Sequence, residues 1–125
     1  EVLLKQQKYS DLKEVLGRII ELEPKDSVYQ INLASVAMKL NDVQTSESAL
    51  KKAVELDTNS TLAHIALAKL YLATDKFELA HLSLDKVLSI DPSPAVVRLK
   101  SEVYAAEGKS DRAAELLKTI QNTQP

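Results

Sequence analysis

Along most of the chain apolar residues recur at spacings of three and four, as in Leu12, Val15, Leu16, Ile19 and Ile20 or in Phe77, Ala80, Leu84, Val87 and Leu88. That interval places them on one face of an α-helix, leaving the polar residues between them to face water. No comparable stretch alternates in twos, so strands are not predicted. The four prolines, Pro24, Pro92, Pro94 and Pro125, all lie between or after these runs, never inside them, where each would remove a backbone donor and clash with the previous turn. The pattern predicts a truncated helix over about 1–8, followed by helices near 10–22, 26–40, 42–56, 60–73, 76–90, 94–107 and 109–122.

Three of the connecting segments read almost alike: IELEPKDS (Ile20 to Ser27), VELDTNST (Val54 to Thr61) and LSIDPSPA (Leu88 to Ala95). Pro24, Thr58 and Pro92 are 34 residues apart, and Pro92 and Pro125 are 33 apart. Within each interval a second turn signal appears, at Asn41 to Val43, Thr74 to Lys76 and Gly108 to Asp111, each offering Asp, Asn, Ser or Thr as an N-cap before a new apolar stripe. Each unit is therefore a pair of helices. The chain holds three full pairs and one partial pair, with units at about 1–25, 26–59, 60–93 and 94–125, read as one domain cut from a longer protein.

A 34-residue helix–turn–helix period resembles that of the tetratricopeptide repeat family. The family pattern has a large aromatic, then Leu and a small residue, then Tyr, and later Ala, a large apolar residue and Pro. One unit supplies His64, Leu67, Ala68 and Tyr71, then Ala80, Leu84 and Pro92; the unit before it supplies Gln30, Leu33, Ala34 and Ala37, then Ser46, Leu50 and Thr58. With one residue dropped from the connector at Asp91 to Pro94, the last unit supplies Val97, Lys100, Ser101 and Tyr104, then Ala113, Leu117 and Pro125. Lys100 is a poor core residue, and Val96, Leu99, Val103 and Ala106 form a rival stripe one residue out of phase, so the rotation of this helix stays open. The partial unit supplies Tyr9, Leu12, Leu16, Ile19 and Pro24.

The resemblance implies an all-α fold: a right-handed superhelical array, or α-solenoid, of antiparallel helix pairs, with about three and a half repeats. Small residues at Ala34, Ala68, Ser101, Ala80 and Ala113 let helix backbones approach. Leu33, Leu67, Leu50, Leu84 and Leu117 fill the spaces between pairs, at about 1.5–3 kcal/mol for each buried side chain. The last helix keeps an apolar row, Leu116, Leu117 and Ile120, with no later helix to cover it. Continuation of the array or pairing with another copy, giving a homo-oligomer through the exposed terminal helix, would cover that row.

Composition narrows the chemistry. A formal net charge of −2, with 27% charged residues of both signs interspersed, produces no strong field for nucleic acid or an anionic membrane. One Phe, four Tyr and no Trp make no platform for stacking bases. The absence of Cys removes thiolate catalysis and disulfides and leaves the compartment open. No apolar run approaches the roughly 18 residues of a membrane span. Gly108, Lys109 and Ser110 mimic the end of a phosphate loop, but Val103 stands where its first glycine belongs. Asp57 to Ser60 lacks the glycine and the terminal Glu of a calcium loop, Ala68 standing in the latter's place, and reads as a capped connector. Asn59, Ser60 and Thr61 form a glycosylation sequon that matters only in a secreted eukaryotic protein. His64 reads as a ring packed at a helix crossing and His81 as part of a partly solvated face; neither has a metal-ligand or catalytic set around it. No catalytic residue, cofactor or metal is expected.

The family likeness implies that the first helix of each pair lines a concave groove holding a partner's peptide or helix. Carried onto this chain, the groove residues are Val28, Ile31, Asn32, Ser35 and Lys39, with Met38 beside them, then Leu62, Ile65, Lys69 and Leu72, then Arg98 and Glu102, with Ala105. A charged clamp for a partner's terminal carboxylate is not expected, because Ile31, Ile65 and Ala66 stand where its polar groups would be, although Asn32 fits. The expected role is a non-catalytic interaction module, a scaffold or adaptor, whose floor is apolar and whose Asn32, Lys69, Arg98 and Glu102 orient the guest. The alternative is a structural spacer or a self-association segment of a longer scaffold.

Overall fold

Asn41, Asp75 and Gly108 have positive φ angles of 59°, 59° and 84°, and they stand 34 and 33 residues apart. Each ends a helix in the same way. The N–H three residues past the last helical residue reaches back to a carbonyl five residues earlier: Asp42 to Ala37, Lys76 to Tyr71 and Lys109 to Tyr104, all at 2.8 Å. This double-bonded stop, with one left-handed residue, satisfies carbonyls that a helix end otherwise leaves open. The other connectors use extended residues instead. Glu23, Asp57 and Asp91 have φ of −131°, −142° and −144°, and their N–H groups bond Ile19, Ala53 and Val87 at 2.8, 2.9 and 2.7 Å. The repeated phrases of the sequence are thus two alternating kinds of stop.

The computed structural model describes residues 1–121. Among them it has seven α-helices and no strand: α1 (Val2–Leu22), α2 (Ser27–Lys39), α3 (Val43–Leu56), α4 (Thr61–Ala73), α5 (Phe77–Ile90), α6 (Pro94–Ala106) and α7 (Ser110–Gln121). Asn122 at the expected end of the last helix, and Pro125 in the family's proline slot, lie outside the described residues.

The separate helices predicted over 1–8 and 10–22 are one continuous helix of 21 residues. The register explains the correction. One period before Asn41 stands Gln7, which carries a Cβ and has no side chain suited to the left-handed conformation, so nothing interrupts the helix.

A second correction concerns the turn at Thr74 to Lys76. Asp75 is not an N-cap; it takes the left-handed position, and Lys76 caps α5 without a side-chain bond. The caps expected at Asn41 to Val43 and at Asp57 to Ser60 form, whereas in the turn at Gly108 to Asp111 the helix already begins at Ser110, so neither Ser110 nor Asp111 precedes it as a cap. Asp42 accepts from the Thr45 N–H at 3.1 Å, Ser60 Oγ from Ala63 at 3.2 Å and Ser93 Oγ from Val96 at 3.4 Å. Asp26 caps α2 through Val28 at 2.9 Å.

The chain divides into two compact units, one from Glu1 to Ala63 and one from His64 onward, the division falling inside α4. In the first, α2 packs against both α1 and α3; Leu16, Ala34, Ala37, Leu50 and Ala53 are buried there. In the second, α6 packs against α5 and α7, with Leu84, Val87, Ser101, Val103 and Ala113 buried. The small slots work as the pattern requires: Ser101 is buried and its Oγ donates to the Ala113 carbonyl at 3.0 Å across the α6–α7 crossing.

Ser101 also resolves the rotation of α6. It is buried like Ala34 and Ala68, while Val96 and Val103, from the rival stripe, match the buried Ala63 and Leu70 one period earlier. The two stripes are adjoining ridges of one buried face. Lys100 occupies the slot of Leu33 and Leu67 by laying its methylene stem inward, and its Nζ emerges to meet Asp85 Oδ1 at 2.5 Å.

Candidate interaction faces

On α2 the first-helix positions assigned from the sequence are all accessible to some degree. Val28, Asn32, Ser35 and Lys39 are exposed, and Ile31 and Met38 are half-buried. On α4, Leu62 and Lys69 are exposed while Ile65 and Leu72 are half-buried; on α6, Arg98, Glu102 and Ala105 are exposed. None of the assigned residues is consumed by a core.

Charge is sparse on two of the first helices, α2 and α4, though not on α6, which carries Arg98, Lys100 and Glu102. Between Ser27 and Lys39 the only charged residue is Lys39, and between Thr61 and Ala73 the only Lys, Arg, Asp or Glu is Lys69. The second helix α3, of similar length, carries Glu47, Lys51, Lys52 and Glu55, with Lys51 Nζ 2.9 Å from Glu47 Oε2 and Lys52 Nζ 3.7 Å from Glu55 Oε2. A helix face meant only for water is normally laced with such pairs. A recess of about 530 Å³ between α2 and α3, lined by Gln30, Leu33, Gln44 and the Glu47–Lys51 pair among others, contains none of the assigned residues.

His64 is buried, as expected of a packed ring. His81 is half-buried, in keeping with a partly solvated face, with Tyr104 of α6 and Glu107 of the turn after it against the ring. Its side chain is 16% exposed, its Nε2 lies 2.5 Å from Glu107 Oε1, and it stacks on Tyr104 with centroids 4.3 Å apart. Its Nδ1 is buried without a hydrogen-bond partner, which fits a ring that donates from Nε2 and leaves Nδ1 as a bare lone pair. Lys109 Nζ sits 3.0 Å from the other Glu107 oxygen. The bond from His81, then that from Lys109, holds the Glu107 carboxyl below its ordinary value, against the opposing effect of burial. Arg112 lies 6.0 Å and Lys100 Nζ 5.6 Å from the Tyr104 ring centre, so the ring is flanked by cations.

Sequence reasoning missed this network. Its signal was the repeat itself. His81 stands two periods after Lys13, and Lys13 likewise reaches the turn of the following pair, with Nζ 3.0 Å from Asp42 Oδ2. Asp42 also accepts from Thr45, and these bonds, Thr45 first and Lys13 next, lower its carboxyl to about 2. This slot latches α1 to the turn after α2 and α5 to the turn after α6, each contact lying within one unit. Among the described residues no group of three or more His, Cys, Asp or Glu could hold a metal ion, and no helix is long and apolar enough to cross a membrane.

Solved structures give the fold independently. Two crystal structures of MamA are similar to this chain with TM-scores of 0.79 and 0.80, at 22% and 21% identity. They cover 94% and 97% of this chain and 68% and 75% of their own. The first tetratricopeptide domain of Spaghetti (RPAP3), solved bound to the HSP90 peptide SRMEEVD, is similar with a TM-score of 0.67 and 23% identity, over 92% of this chain and 84% of that one. No curated protein matches the chain. The tetratricopeptide repeat model matches residues 37–103, more than half of the sequence. With that match, the alternating stops and the filled small-residue slots, this chain belongs to the tetratricopeptide repeat family.

Proposed function

We propose that the chain is a non-catalytic interaction module whose first helices receive a peptide or helix of a partner protein. In the unit from Glu1 to Ala63 the receiving residues are Val28, Ile31, Asn32, Ser35, Lys39 and Leu62; in the unit from His64 onward they are Ile65, Lys69, Leu72, Arg98 and Glu102. The observation that carries this reading is the pairing of accessible apolar side chains with near absence of charge on α2 and α4. Val28 and Leu62 are large apolar residues standing in water on helices that lack the solvating pairs of α3. Accessible apolar surface of this kind marks contact sites. The peptide-bound Spaghetti domain shares the fold and supports the same mode here. Asn32, Lys69, Arg98 and Glu102 then orient the guest, and neither nucleic acid nor a membrane takes part.

The spacer or self-association reading has one observation of its own. Leu50 and Leu84 are 2% and 0% exposed, whereas Leu117, in the same slot one period later, is 38% exposed. A further helix or another copy covering α7 would bury it. Ile120, expected in the same uncovered row, is buried, and Leu116 is half-buried, so the open face is narrower than the sequence suggested. The two readings separate by substitution. If the first helices bind, Leu62→Glu or Ile65→Glu abolishes capture from a panel of displayed amphipathic peptides while helicity and melting stay nearly unchanged. Retained capture, or loss only together with unfolding, would contradict the reading.

A further inference from the structure

We infer that the guest of the first-helix faces is an acidic amphipathic segment, with Asp or Glu side chains set among apolar ones; this rests on the interaction role proposed above and names the chemistry of the partner. The first helices α2, α4 and α6 are each 13 residues long. Of the chain's 18 Asp and Glu only Glu102 lies on them, against four of its 16 Lys and Arg: Lys39, Lys69, Arg98 and Lys100. The second helices α3, α5 and α7 carry both signs in near balance, six acidic residues and five basic. The whole chain is at −2, so the positive balance is a property of the first helices and not of the composition.

Three of those cations are available to a guest. Lys100 turns to Asp85, but Lys39, Lys69 and Arg98 are exposed. Among the described residues none of these three has an ion pair or a side-chain hydrogen bond within the protein. Arg98 and Glu102 stand four residues apart on α6 and do not pair with each other.

An unpaired cation inside an apolar stripe favours a carboxylate in whatever covers it. Lys69 stands four residues after Ile65 and three before Leu72, a spacing that puts all three on one face of α4. Docking of apolar side chains there expels water, which strengthens the attraction between Lys69 and a carboxylate arriving with them. A guest without that carboxylate would cover the ammonium and leave it unpaired, at a cost in free energy. Arg98 makes the same demand on α6, and Lys39 makes it on α2 in the unit from Glu1 to Ala63. Glu102, one turn beyond Arg98, disfavours a uniform polyanion; a peptide can set a Lys or an amide against it.

The test compares three helical peptides with one common apolar stripe and Glu, Gln or Lys beside it, acetylated and amidated so that neither end carries charge. By fluorescence anisotropy the Glu peptide is expected to bind about tenfold more tightly than the Gln peptide, as for a few partly desolvated charge contacts. The gap is expected to narrow as salt rises. Lys69→Glu combined with Arg98→Glu changes two exposed side chains without internal partners, and is expected to turn the preference toward the Lys peptide with helicity unchanged. Equal binding of the Glu and Gln peptides, or tighter binding of the Lys peptide by the unmutated chain, would overturn the inference; if that unselective binding were still lost in Leu62→Glu, the interaction role itself would stand. Failure of all three peptides to bind would overturn both.

Discussion

His81 Nε2 meets Glu107 Oε1 at 2.5 Å, fastening the middle of α5 to the end of α6. The Glu107 carboxyl is depressed by this bond foremost, so its folded value lies below the unfolded one. The stability it contributes is therefore present above the ordinary value of 4.5 and lost as pH falls through and below it. Asp42 behaves likewise between its ordinary 3.8 and about 2. Glu107→Gln is expected to flatten the acid fall of the melting temperature. It is also expected to lower stability near neutral pH by about 1–2 kcal/mol, as for loss of a charge-assisted hydrogen bond. An unchanged acid limb would show that the contact carries no stability.

The left-handed stops make opposite predictions for similar substitutions. Asn41 and Asp75 carry side chains at φ 59°, so Asn41→Gly and Asp75→Gly are expected to stabilise, each by up to about 1 kcal/mol. At Gly108, with φ 84°, an added Cβ meets nothing within 4 Å. Gly108→Ala is nonetheless expected to destabilise by about 1 kcal/mol, through backbone strain alone. Denaturant midpoints of the three variants decide the matter.

Leu84 and Leu117 test the repeat register. They share one slot, but Leu84 is fully buried and Leu117 stands partly in water. Leu84→Ala is expected to cost about 2–5 kcal/mol and Leu117→Ala below about 1 kcal/mol. Equal losses would mean that α7 is covered in solution.

Lys100 holds a leucine slot with a side chain 13% exposed, while its partner Asp85 is 58% exposed. An ion pair with so open a partner contributes little. Lys100→Leu is therefore expected to be neutral or to stabilise by up to about 1 kcal/mol in urea melts, and Lys100→Ala to destabilise through the lost stem.

These contrasts mark what the sequence made legible. Periodicity located α2 to α7 because their apolar faces and stop residues agree, and the small residues at Ala34, Ala68 and Ser101 were readable because backbones must approach there. The fusion of α1 was hidden, since a break was inferred from period alone while Gln7 supplies no stop. Asp75 misled because Asp serves both as an N-cap and as a left-handed residue. The rotation of α6 was ambiguous because Lys100 is polar at its tip and apolar along its stem. The His81–Glu107 contact links residues 26 positions apart, a distance at which no local pattern speaks.

The central claim is that first helices, not second helices, receive a partner. Hydrogen exchange followed by mass spectrometry, with and without a peptide selected for binding, tests it most directly. The account predicts new protection in α2, α4 and α6, strongest around Leu62 and Val28. Protection confined to α3, α5 and α7 would contradict it.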